Sequence, residues 1–347
     1  MKLVSLFSGA GGLDLGFEQA GFKVVWANEH DKSIWDTYRK NFPHTELETR
    51  SIAEVDASDV PDCDGIIGGP PCQSWSEAGE LRGIQDRRGQ LFFEYIRLLT
   101  ELQPKFFLAE NVSGILFSRH SAAVDEILRS FTQLGYNVSF GLLNANFYGV
   151  PQDRERVIIV GYQTGYGKFF NPPIPNETGP TLKDAIWDLR LSAEAADTPT
   201  PSSGKSRIAN HEYMTGGFSS IFMSRNRVRG WNQPSFTIQA GARHAPLHPQ
   251  APSMVPVKKD VRIFAPGSEH LYRRLTVREC ARIQTFPDSH EFVYGNVANG
   301  YKMVGNAVPV ELARRIARVI ANDLGRARRV HKSEPGSIRR FGELSED

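Results

Sequence analysis

The segment GIIGGPPCQSW, residues 65–75, places a short apolar strand directly before a rigid turn. Gly65–Gly68 has no polar side chain, which is typical of a parallel strand buried on both faces. Pro70 and Pro71 cannot continue a sheet, so the chain turns there and brings the thiol of Cys72 to the carboxyl end of the strand. Open α/β sheets bind their ligands at that edge. Cys72 is therefore either a reactive thiol or an ordinary buried cysteine, and the other motifs of the chain distinguish the two.

Apolar strands alternate with amphipathic helices through the first 160 residues. Repeated β-then-α units of this kind predict an α/β fold with a mainly parallel, doubly wound, Rossmann-like sheet. The predicted strands are Leu3–Phe7, Lys23–Ala27, Gly65–Gly68, Phe106–Ala109, Asn137–Leu142 and Arg156–Val160. The predicted helices are Leu13–Ala20, Asp31–Asn41, Gln90–Leu102 and Ala122–Leu134.

The pattern changes after about residue 165, where Pro-rich and Ser-rich connectors replace the alternation. Between Lys205 and Arg274 there are eleven Lys or Arg against three acids, a net charge of +8 in a chain whose total is +2. The remainder therefore carries −6, and a basic segment in an acidic protein suits a polyanionic partner. Short strand-like pieces such as Phe236–Ile238 interrupt this irregular region, and helices return at Val277–Gln284 and Val310–Leu324. We predict a catalytic and cofactor domain at 1–170, completed by 291–326, a smaller basic recognition domain at 171–290, and a tail without regular structure at 327–347.

Composition excludes several classes of protein. With 40% hydrophobic and 23% charged residues the chain has an ordinary globular composition, and no apolar run approaches the roughly 20 residues of a membrane span. The first residues run into a Gly-rich turn, so no signal peptide is expected. The three cysteines, Cys63, Cys72 and Cys280, are odd in number and lack C-x-x-C spacing. We therefore expect a reducing cytoplasm and no structural zinc.

A Gly-rich turn, Phe7–Gly12, lies between the first strand and the first helix. Its glycines allow a tight turn and a close approach to a ligand, with a helix N-terminus behind it. Glu29 ends the next strand, where an acid commonly binds ribose hydroxyls. The pattern favours a nucleotide-like cofactor over an ordinary βα turn, although the spacing is not G-x-G-x-x-G.

Two further segments place ionisable groups near the same edge. Glu110 directly follows an apolar strand and could serve as a general acid if burial raised its pKa. Arg154 and Arg156 alternate before the strand Val157–Val160, so they are expected on one face, where they suit an oxygen-rich group. The alternative for Glu110 is a solvated acid at a strand end. The alternative for Arg154 and Arg156 is a structural ion-pair network.

A cluster of arginines marks the basic region. Strand alternation would align Arg225, Arg227 and Arg229, and Arg243 follows shortly after. Arginine binds guanine O6 and N7 in the major groove and also phosphates, so these four residues are candidates for DNA contact. A merely solvated basic face is the alternative.

Taken together and in this order, the motifs resemble those of the DNA (cytosine-5)-methyltransferases, and the resemblance covers nearly the whole chain. Two later segments extend it, since Arg273–Cys280 is similar to the family's R-x-L-T-x-R-E-C motif and Gly305–Pro309 to its final G-N-[SA]-V motif. Among the earlier segments, Phe7–Gly12 looks like the family's cofactor loop and Pro71–Gln73 like its nucleophile loop. Glu110–Val112 looks like its general-acid motif and Gln152–Arg156 like its Q-x-R-x-R motif.

The resemblance implies a role for single residues. Cys72 would be the nucleophile and Glu110 the general acid, while Arg156 would hold the cytosine O2 and Arg154 would orient Glu110. No metal is expected, because methyl transfer from a sulfonium needs no Lewis acid. The positions expected around the cofactor, S-adenosylmethionine, are Phe7, Gly9, Gly11, Gly12, Glu29, Ser51, Ile52, Leu91 and Asn306.

The region Ile221–Pro252 looks closer still to the HaeIII-type bacterial modification methyltransferases, which implies a GGCC recognition sequence. The resemblance implies double-stranded DNA as partner, a restriction endonuclease sharing the site, a monomer and a bacterial cytoplasm. An RNA (cytosine-5) methyltransferase of the same fold and a catalytically silent DNA-binding relative are the alternatives.

Two positions depart from the family pattern. Many members carry Asp where Ser5 stands, and the acid that bonds the adenine amino group aligns with Ser51. A serine gives up the charge-assisted hydrogen bond of a carboxylate, so we expect weaker cofactor affinity with activity retained.

Overall fold

The computed structural model describes residues 1–71, 87–197, 201, 208–325 and 335–342, with only the backbone of 87–90. Cys72 lies outside the described residues. The strands are β1 (Lys2–Leu6), β2 (Lys23–Asn28), β3 (Glu46–Glu48), β4 (Gly65–Gly68), β5 (Phe106–Val112), β6 (Tyr136–Asn144), β7 (Glu155–Gln163), β8 (Glu194–Ala196), β9 (Glu212–Met214), β10 (Val255–Lys258), β11 (Val261–Ile263) and β12 (Ile338–Phe341).

The helices follow the expected alternation with the strands. They are α1 (Gly12–Gln19), α2 (Trp35–Asn41), α3 (Arg87–Leu102), α4 (Ser121–Gln133), α5 (Leu182–Ile186), α6 (Val277–Ile283), α7 (Val297–Asn306) and α8 (Val310–Gly325). Helix α2 begins later than predicted, because the Asp31 carboxylate accepts hydrogen bonds from Ser33 and closes a turn first. Within the described residues, no helix is both long and apolar enough to cross a membrane.

The central sheet confirms the predicted α/β class. Its eight strands run in the order β12, β6, β7, β5, β4, β1, β2, β3. Only β7 is antiparallel to its neighbours, β5 and β6, and the remaining pairs are parallel. The carboxyl ends of β1, β2, β4 and β5 therefore meet at one edge, where the loops that follow them converge.

Alternating side chains of the central strands fill a separate core on each face of the sheet. In β5, Phe107 packs into the core formed with α3 and α4, and Phe106 and Leu108 pack into the core formed with α1 and α8. Each of these three side chains is fully buried. Burial on both faces explains why the strands appear in the sequence as apolar runs.

The C-terminal helix α8 packs on α1. A Cβ added at Gly16 would lie 2.5 Å from Ala313 Cβ and 2.6 Å from Val310 O, so only glycine permits this approach. The contact brings residues 303–308, which precede α8, beside the Gly-rich turn that precedes α1.

The basic region has little regular structure. It contains two pairs of short strands, β8 with β9 and β10 with β11, and a small core that includes Phe222, Leu247 and Met254. The predicted strand Phe236–Ile238 is wrong, since the neighbouring Ser235 forms only an isolated bridge to Gln152.

The tail departs from the expectation of no regular structure. Ile338–Phe341 forms β12, which pairs in parallel with β6 at the edge of the sheet. The ring of Phe341 lies 5.8 Å from that of Phe170. Backbone pairing to a strand 200 positions earlier in the chain stabilises this segment, and no local sequence pattern announces it.

Candidate active site

A cleft of about 330 Å³ opens at the carboxyl ends of β1, β2, β4 and β5. Among the predicted residues, it is lined by Phe7, Gly9, Gly12, Glu29, Glu110, Arg156 and Asn306. The structure therefore brings the N-terminal Gly-rich turn, both ionisable motifs and the late G-N-A-V segment to one place. A volume near 300 Å³ is at the lower end for a small-molecule site.

Four predicted cofactor residues lie outside this lining. Ile52 is buried and Leu91 half-buried in the apolar core that Phe7 also contacts. Ser51 precedes a single 3-10 turn and accepts a hydrogen bond from Glu54 N at 2.8 Å. Gly11 faces the ring of Phe42, which leaves no room for a Cβ.

Glu29 ties the Gly-rich turn to the end of β2. Its two carboxylate oxygens accept hydrogen bonds from Gly9 N at 2.9 Å and from Asp31 N at 2.7 Å. Burial raises the pKa of the Glu29 carboxyl, and the two backbone N–H groups oppose that shift. Phe7 stands beside it with φ of 55°, a strained conformation for a bulky residue of the kind that accumulates at functional sites.

A buried acid that the sequence analysis missed lies behind the cleft. Ser5, which stands where many family members have Asp, donates to Asp14 Oδ1 at 2.6 Å. Tyr38 donates to Asp14 Oδ2, also at 2.6 Å. Burial raises the pKa of Asp14 to about 7, against the effect of both hydroxyls. The carboxyl is therefore supplied from helix α1 instead of from β1, and its position on the buried face of that helix was the available sequence signal.

The C-terminal part of the chain closes the side of the cleft that lies beside the Gly-rich turn. Lys302 on α7 forms an ion pair with Asp31 in the loop after β2. Met303, Asn306 and Ala307 line the cleft itself. The wall is thus built from segments about 270 positions apart.

Glu110 and Arg156 form an ion pair at the other end of the cleft. Arg156 Nε lies 2.7 Å from Glu110 Oε1, and each side chain is about nine-tenths buried, with 12% and 11% exposed. Pairing of β5 with β7 brings the two strands together. Asn111 Nδ2 donates to Pro70 O at 3.1 Å, which attaches the turn before Cys72 to the strand that carries Glu110.

The role predicted for Arg154 is wrong. Its guanidinium is 1% exposed and donates to the carbonyls of Ile238, Gly305 and Ala307 at 3.0, 2.8 and 3.0 Å. That role came from the family resemblance, and the separate expectation that strand alternation places Arg154 and Arg156 on one face fails because β7 begins at Glu155. Arg156, and not Arg154, is therefore the residue that orients Glu110.

The two cysteines that the structure describes are poor candidates for a reactive thiol. Burial raises the pKa of Cys63 to about 12, with a further contribution from Asp64 and Asp62. Cys280 is fully buried, and burial raises its pKa well above the ordinary value. Buried thiols of this kind are inert, whereas Pro70 and Pro71, which precede Cys72 in the sequence, line the cleft.

The candidate DNA-binding arginines separate into two groups. Arg225 and Arg243 are exposed. Arg227 is 8% exposed, donates to the carbonyls of Phe222 and Ile221 at 2.9 and 3.1 Å, and stacks on the Phe222 ring. Arg229 bonds Asp153 at 3.0 Å and stacks on Phe236.

The predicted strand alignment of these arginines is wrong as well. Residues 222–224 form a 3-10 turn, and Val228 makes only an isolated bridge to Leu247. Asn226 bonds to the backbone of Val228 through both ends of its side-chain amide. Local bonds of this kind replace a strand ladder.

The chain has close relatives among known proteins. A family model described as C-5 cytosine-specific DNA methylase matches residues 1–322. The chain is 55% identical to Type II methyltransferase M.FnuDI of Fusobacterium nucleatum, over 96% of this chain and 97% of that one. It is 53% identical to Type II methyltransferase M.NgoPII of Neisseria gonorrhoeae, over 94% and 97%. In structure it is similar to DNMT2 of Spodoptera frugiperda, with a TM-score of 0.66 at 18% identity over 92% of this chain and 99% of that one.

Proposed function

The chain belongs to the family of C-5 cytosine-specific DNA methylases, and from this premise we propose that it methylates C5 of a flipped-out cytosine in a short duplex site, GGCC. S-adenosylmethionine is the methyl donor and Cys72 the nucleophile. The observation that carries the proposal is the Glu110–Arg156 pair, which lies in the same cleft as Glu29 and the Pro70-Pro71 turn before Cys72.

The residues of the cleft fit S-adenosylmethionine. The Glu29 carboxylate has lone pairs beyond those used by Gly9 and Asp31, and these suit ribose hydroxyls. Phe7, Met303 and Ala307 supply apolar surface, and Asn306 an amide. When bound, the cofactor supplies the electrophilic methyl group that the activated C5 accepts.

The protein's part in the chemistry is to make C5 nucleophilic. The Cys72 thiolate would form a bond to C6 of the cytosine, the C5–C6 π pair would become a C4–C5 double bond, and the C4–N3 π pair would take a proton from Glu110 at N3. After methylation, the C5 proton would pass to a water molecule, cleavage of the C6–sulfur bond would restore the C5–C6 double bond and the thiolate, and N3 would return its proton to Glu110. A thiol with a pKa of about 8.5 is only a few per cent ionised at pH 7, so the site has to favour the thiolate.

Arg156 has two tasks in this scheme. Its Nε holds Glu110 at 2.7 Å, and its Nη1 donates to Glu155 O at 2.7 Å. The remaining guanidinium N–H groups suit the O2 carbonyl of the cytosine, in keeping with the role that the family resemblance implies. The same side chain would then position both the general acid Glu110 and the cytosine.

The family implies duplex DNA as the polymer, and the target base would have to leave the stack before Cys72 reaches C6, at a cost of a few kcal/mol. Arg225 and Arg243 would contact the duplex, and guanines are the bases that arginine binds best in the major groove. Arg227 and Arg229 would fix the loop that presents Arg225. The GGCC site itself is proposed from the HaeIII-type resemblance of 221–252.

The relatives named Type II methyltransferases support a place in a restriction–modification system. A restriction endonuclease of the same specificity would then share the site without being a stable subunit. Each chain carries a full set of motifs, so we propose a monomer.

The test uses purified protein, S-adenosylmethionine and two duplexes that differ only in whether they contain GGCC. Digestion to nucleosides and quantification of 5-methylcytosine should give signal from the GGCC duplex alone. Signal from both duplexes would contradict the recognition site and keep the reaction. No signal from either, with an RNA substrate then methylated, would contradict the proposal as a whole. The Cys72→Ser variant is the control, and it should fold normally and give no signal.

A further inference from the structure

Three segments that differ in role meet at a buried polar cluster, which we call the glutamine–arginine cluster: Gln152, Arg154 and Gln284. All three side chains are buried, with 0%, 1% and 0% exposed. The cluster lies between the catalytic strand β7, the recognition segment 235–240 and the cofactor-lining segment 304–307.

The contacts to the recognition segment are direct. Gln152 Oε1 accepts a hydrogen bond from Ile238 N at 2.7 Å, and Arg154 Nη1 donates to Ile238 O at 3.0 Å. Thr237 Oγ1 donates to Asp153 O at 2.6 Å. Both polar groups of the Ile238 backbone are thus bonded to side chains of the segment that leads into β7.

The contacts to the cofactor-lining segment are equally direct. Arg154 Nη2 donates to Gly305 O and Ala307 O. Gln284 Nε2 donates to Val304 O at 2.9 Å and to Ala307 O at 3.2 Å. Gln152 Nε2 donates to Gln284 Oε1 at 2.8 Å, which joins the two halves of the cluster.

The two segments also touch through their backbones. A Cβ at Gly305 would lie 2.3 Å from the Gln239 carbonyl carbon and 2.4 Å from Ala240 N, so glycine is required for this contact. Gly305 lines the cleft, and Arg243 follows Ala240 by three positions. If DNA binding moves the recognition segment, the segment therefore has to displace the atoms of the cofactor-lining segment that are packed against it.

We propose that the glutamine–arginine cluster couples DNA binding to cofactor binding, with Gln284 as a positioning residue; this rests on the proposed function. Binding of the duplex at Arg225 and Arg243 sets the position of 235–240, and the cluster transmits that position to Gly305–Ala307. Coupling is reciprocal, so the duplex tightens cofactor binding by the same factor as the cofactor tightens duplex binding.

The experiment measures the dissociation constant of S-adenosylhomocysteine with and without a saturating GGCC duplex. For the wild type we expect the duplex to tighten binding at least about fivefold, within the range of known couplings. For Gln284→Met, which keeps the volume and loses the amide, the factor should fall below about twofold. Gln152→Met should lower the factor to the same extent. The double variant should lose no more than either single variant, because the two side chains act in series, joined by one hydrogen bond.

Tyr162→Phe is the control, since it removes one partly buried hydrogen bond, 2.9 Å to Asp323, at the opposite end of β7. It should keep the wild-type factor. If Gln284→Met does not fold, Thr237→Val replaces it, because it removes one hydrogen bond of the same interface without changing volume.

Three results would overturn the inference: no coupling in the wild type, an unchanged factor in the Gln284 and Thr237 variants, or an equal loss in Tyr162→Phe. Failure of the proposed function is a separate result, since the wild type would then give no 5-methylcytosine. If the wild type methylates DNA and the Gln284 variant keeps the coupling, this inference is contradicted and the proposed function stands.

Discussion

The sheet half of the molecule and the basic region both bury charged side chains, but the two buried acids of the sheet half have side-chain partners, whereas buried arginines beside irregular chain have backbone carbonyls as partners. In the sheet half, Asp14 is held by the hydroxyls of Ser5 and Tyr38, and Glu110 by Arg156. Buried arginines are held by backbone carbonyls, as Arg154 is by those of Ile238, Gly305 and Ala307, and the basic region has two more. Arg274 donates to Met214 O, Gly216 O and Gly217 O, and Arg278 to Ala209 O, Pro287 O and His290 O.

The difference follows from the backbone. A strand ladder satisfies the carbonyls of the sheet half, whereas an irregular chain leaves carbonyls that need other donors. A guanidinium has five N–H groups in a rigid plane and can satisfy several carbonyls together. Some of the positive charge counted between Lys205 and Arg274, including that of Arg227 and Arg274, is therefore structural, and less of it is free to meet DNA than the count of +8 suggests.

The largest expected effect is on the chemistry of the sheet half. Glu110→Gln keeps the shape and removes the proton donor, so kcat should fall by about 10²–10⁴, as for loss of a general acid. Binding of the GGCC duplex should stay within about twofold, because the arginines of the basic region remain. Single-turnover methylation and a fluorescence binding titration measure the two effects. A loss confined to DNA affinity would place Glu110 outside the chemistry.

The buried acid of the sheet half should make stability depend on pH. The pKa of Asp14 is raised from 3.8 to about 7 in the folded state, so the folded protein binds this proton more tightly than the unfolded chain. Protonated Asp14 therefore contributes to the free energy of unfolding below about pH 4, by about 4 kcal/mol at most. This contribution is lost as the pH rises toward 7.

Urea unfolding of the wild type and of Asp14→Asn between pH 4 and pH 8 tests this. The difference between the two free energies of unfolding should change with pH up to about 7 and then stay constant. Tyr38→Phe should shift the end of that range upward, because it removes one donor to the carboxylate. Parallel pH profiles for the wild type and Asp14→Asn would show that the carboxyl titrates alike in both states.

Two arginines of the basic region, two positions apart, give a matched comparison. Arg225→Met should weaken binding of the GGCC duplex by 1–3 kcal/mol and reduce discrimination against a changed guanine. Arg227→Met should instead lower the free energy of unfolding by about 1–3 kcal/mol, because two carbonyls lose their donor. The Arg227 variant should keep its discrimination. Equal effects of both variants on discrimination would contradict the division into exposed and structural arginines.

The smallest expected effect is at Ser51. Ser51→Asp should tighten S-adenosylmethionine binding severalfold, since a charge-assisted hydrogen bond exceeds a neutral one by about 1 kcal/mol. Isothermal titration of both proteins with the cofactor measures it, with Ser51→Asn as a neutral control. If Ser51→Asp binds no better than the wild type, the departure from the family pattern has no cost.

The sequence predicts the sheet half well because its signals are local. Apolar runs such as Gly65–Gly68 and Phe106–Ala109 are strands in the structure, and the Gly-rich turn and Glu29 face the cleft. The motifs that meet there do so because the carboxyl ends of parallel strands share an edge.

The errors arise where the partner is distant. Arg154 donates to carbonyls 84 to 153 positions away, so no local pattern separates it from Arg156. Arg227 is buried by an irregular turn, and alternation does not apply to a chain without a ladder. The strand β12 depends on pairing with β6, and Asp14 on hydroxyls from two other elements.

The central claim is that Cys72 adds to the cytosine at the edge where Glu110 and Arg156 meet. A GGCC duplex with 5-fluorocytosine at the target tests it, because the carbon–fluorine bond prevents the elimination that releases the enzyme. In the presence of S-adenosylmethionine, the wild type should form a covalent complex, and peptide mass spectrometry should place the adduct on Cys72. An adduct on Cys63 or Cys280, or an active enzyme that forms none, would contradict the account.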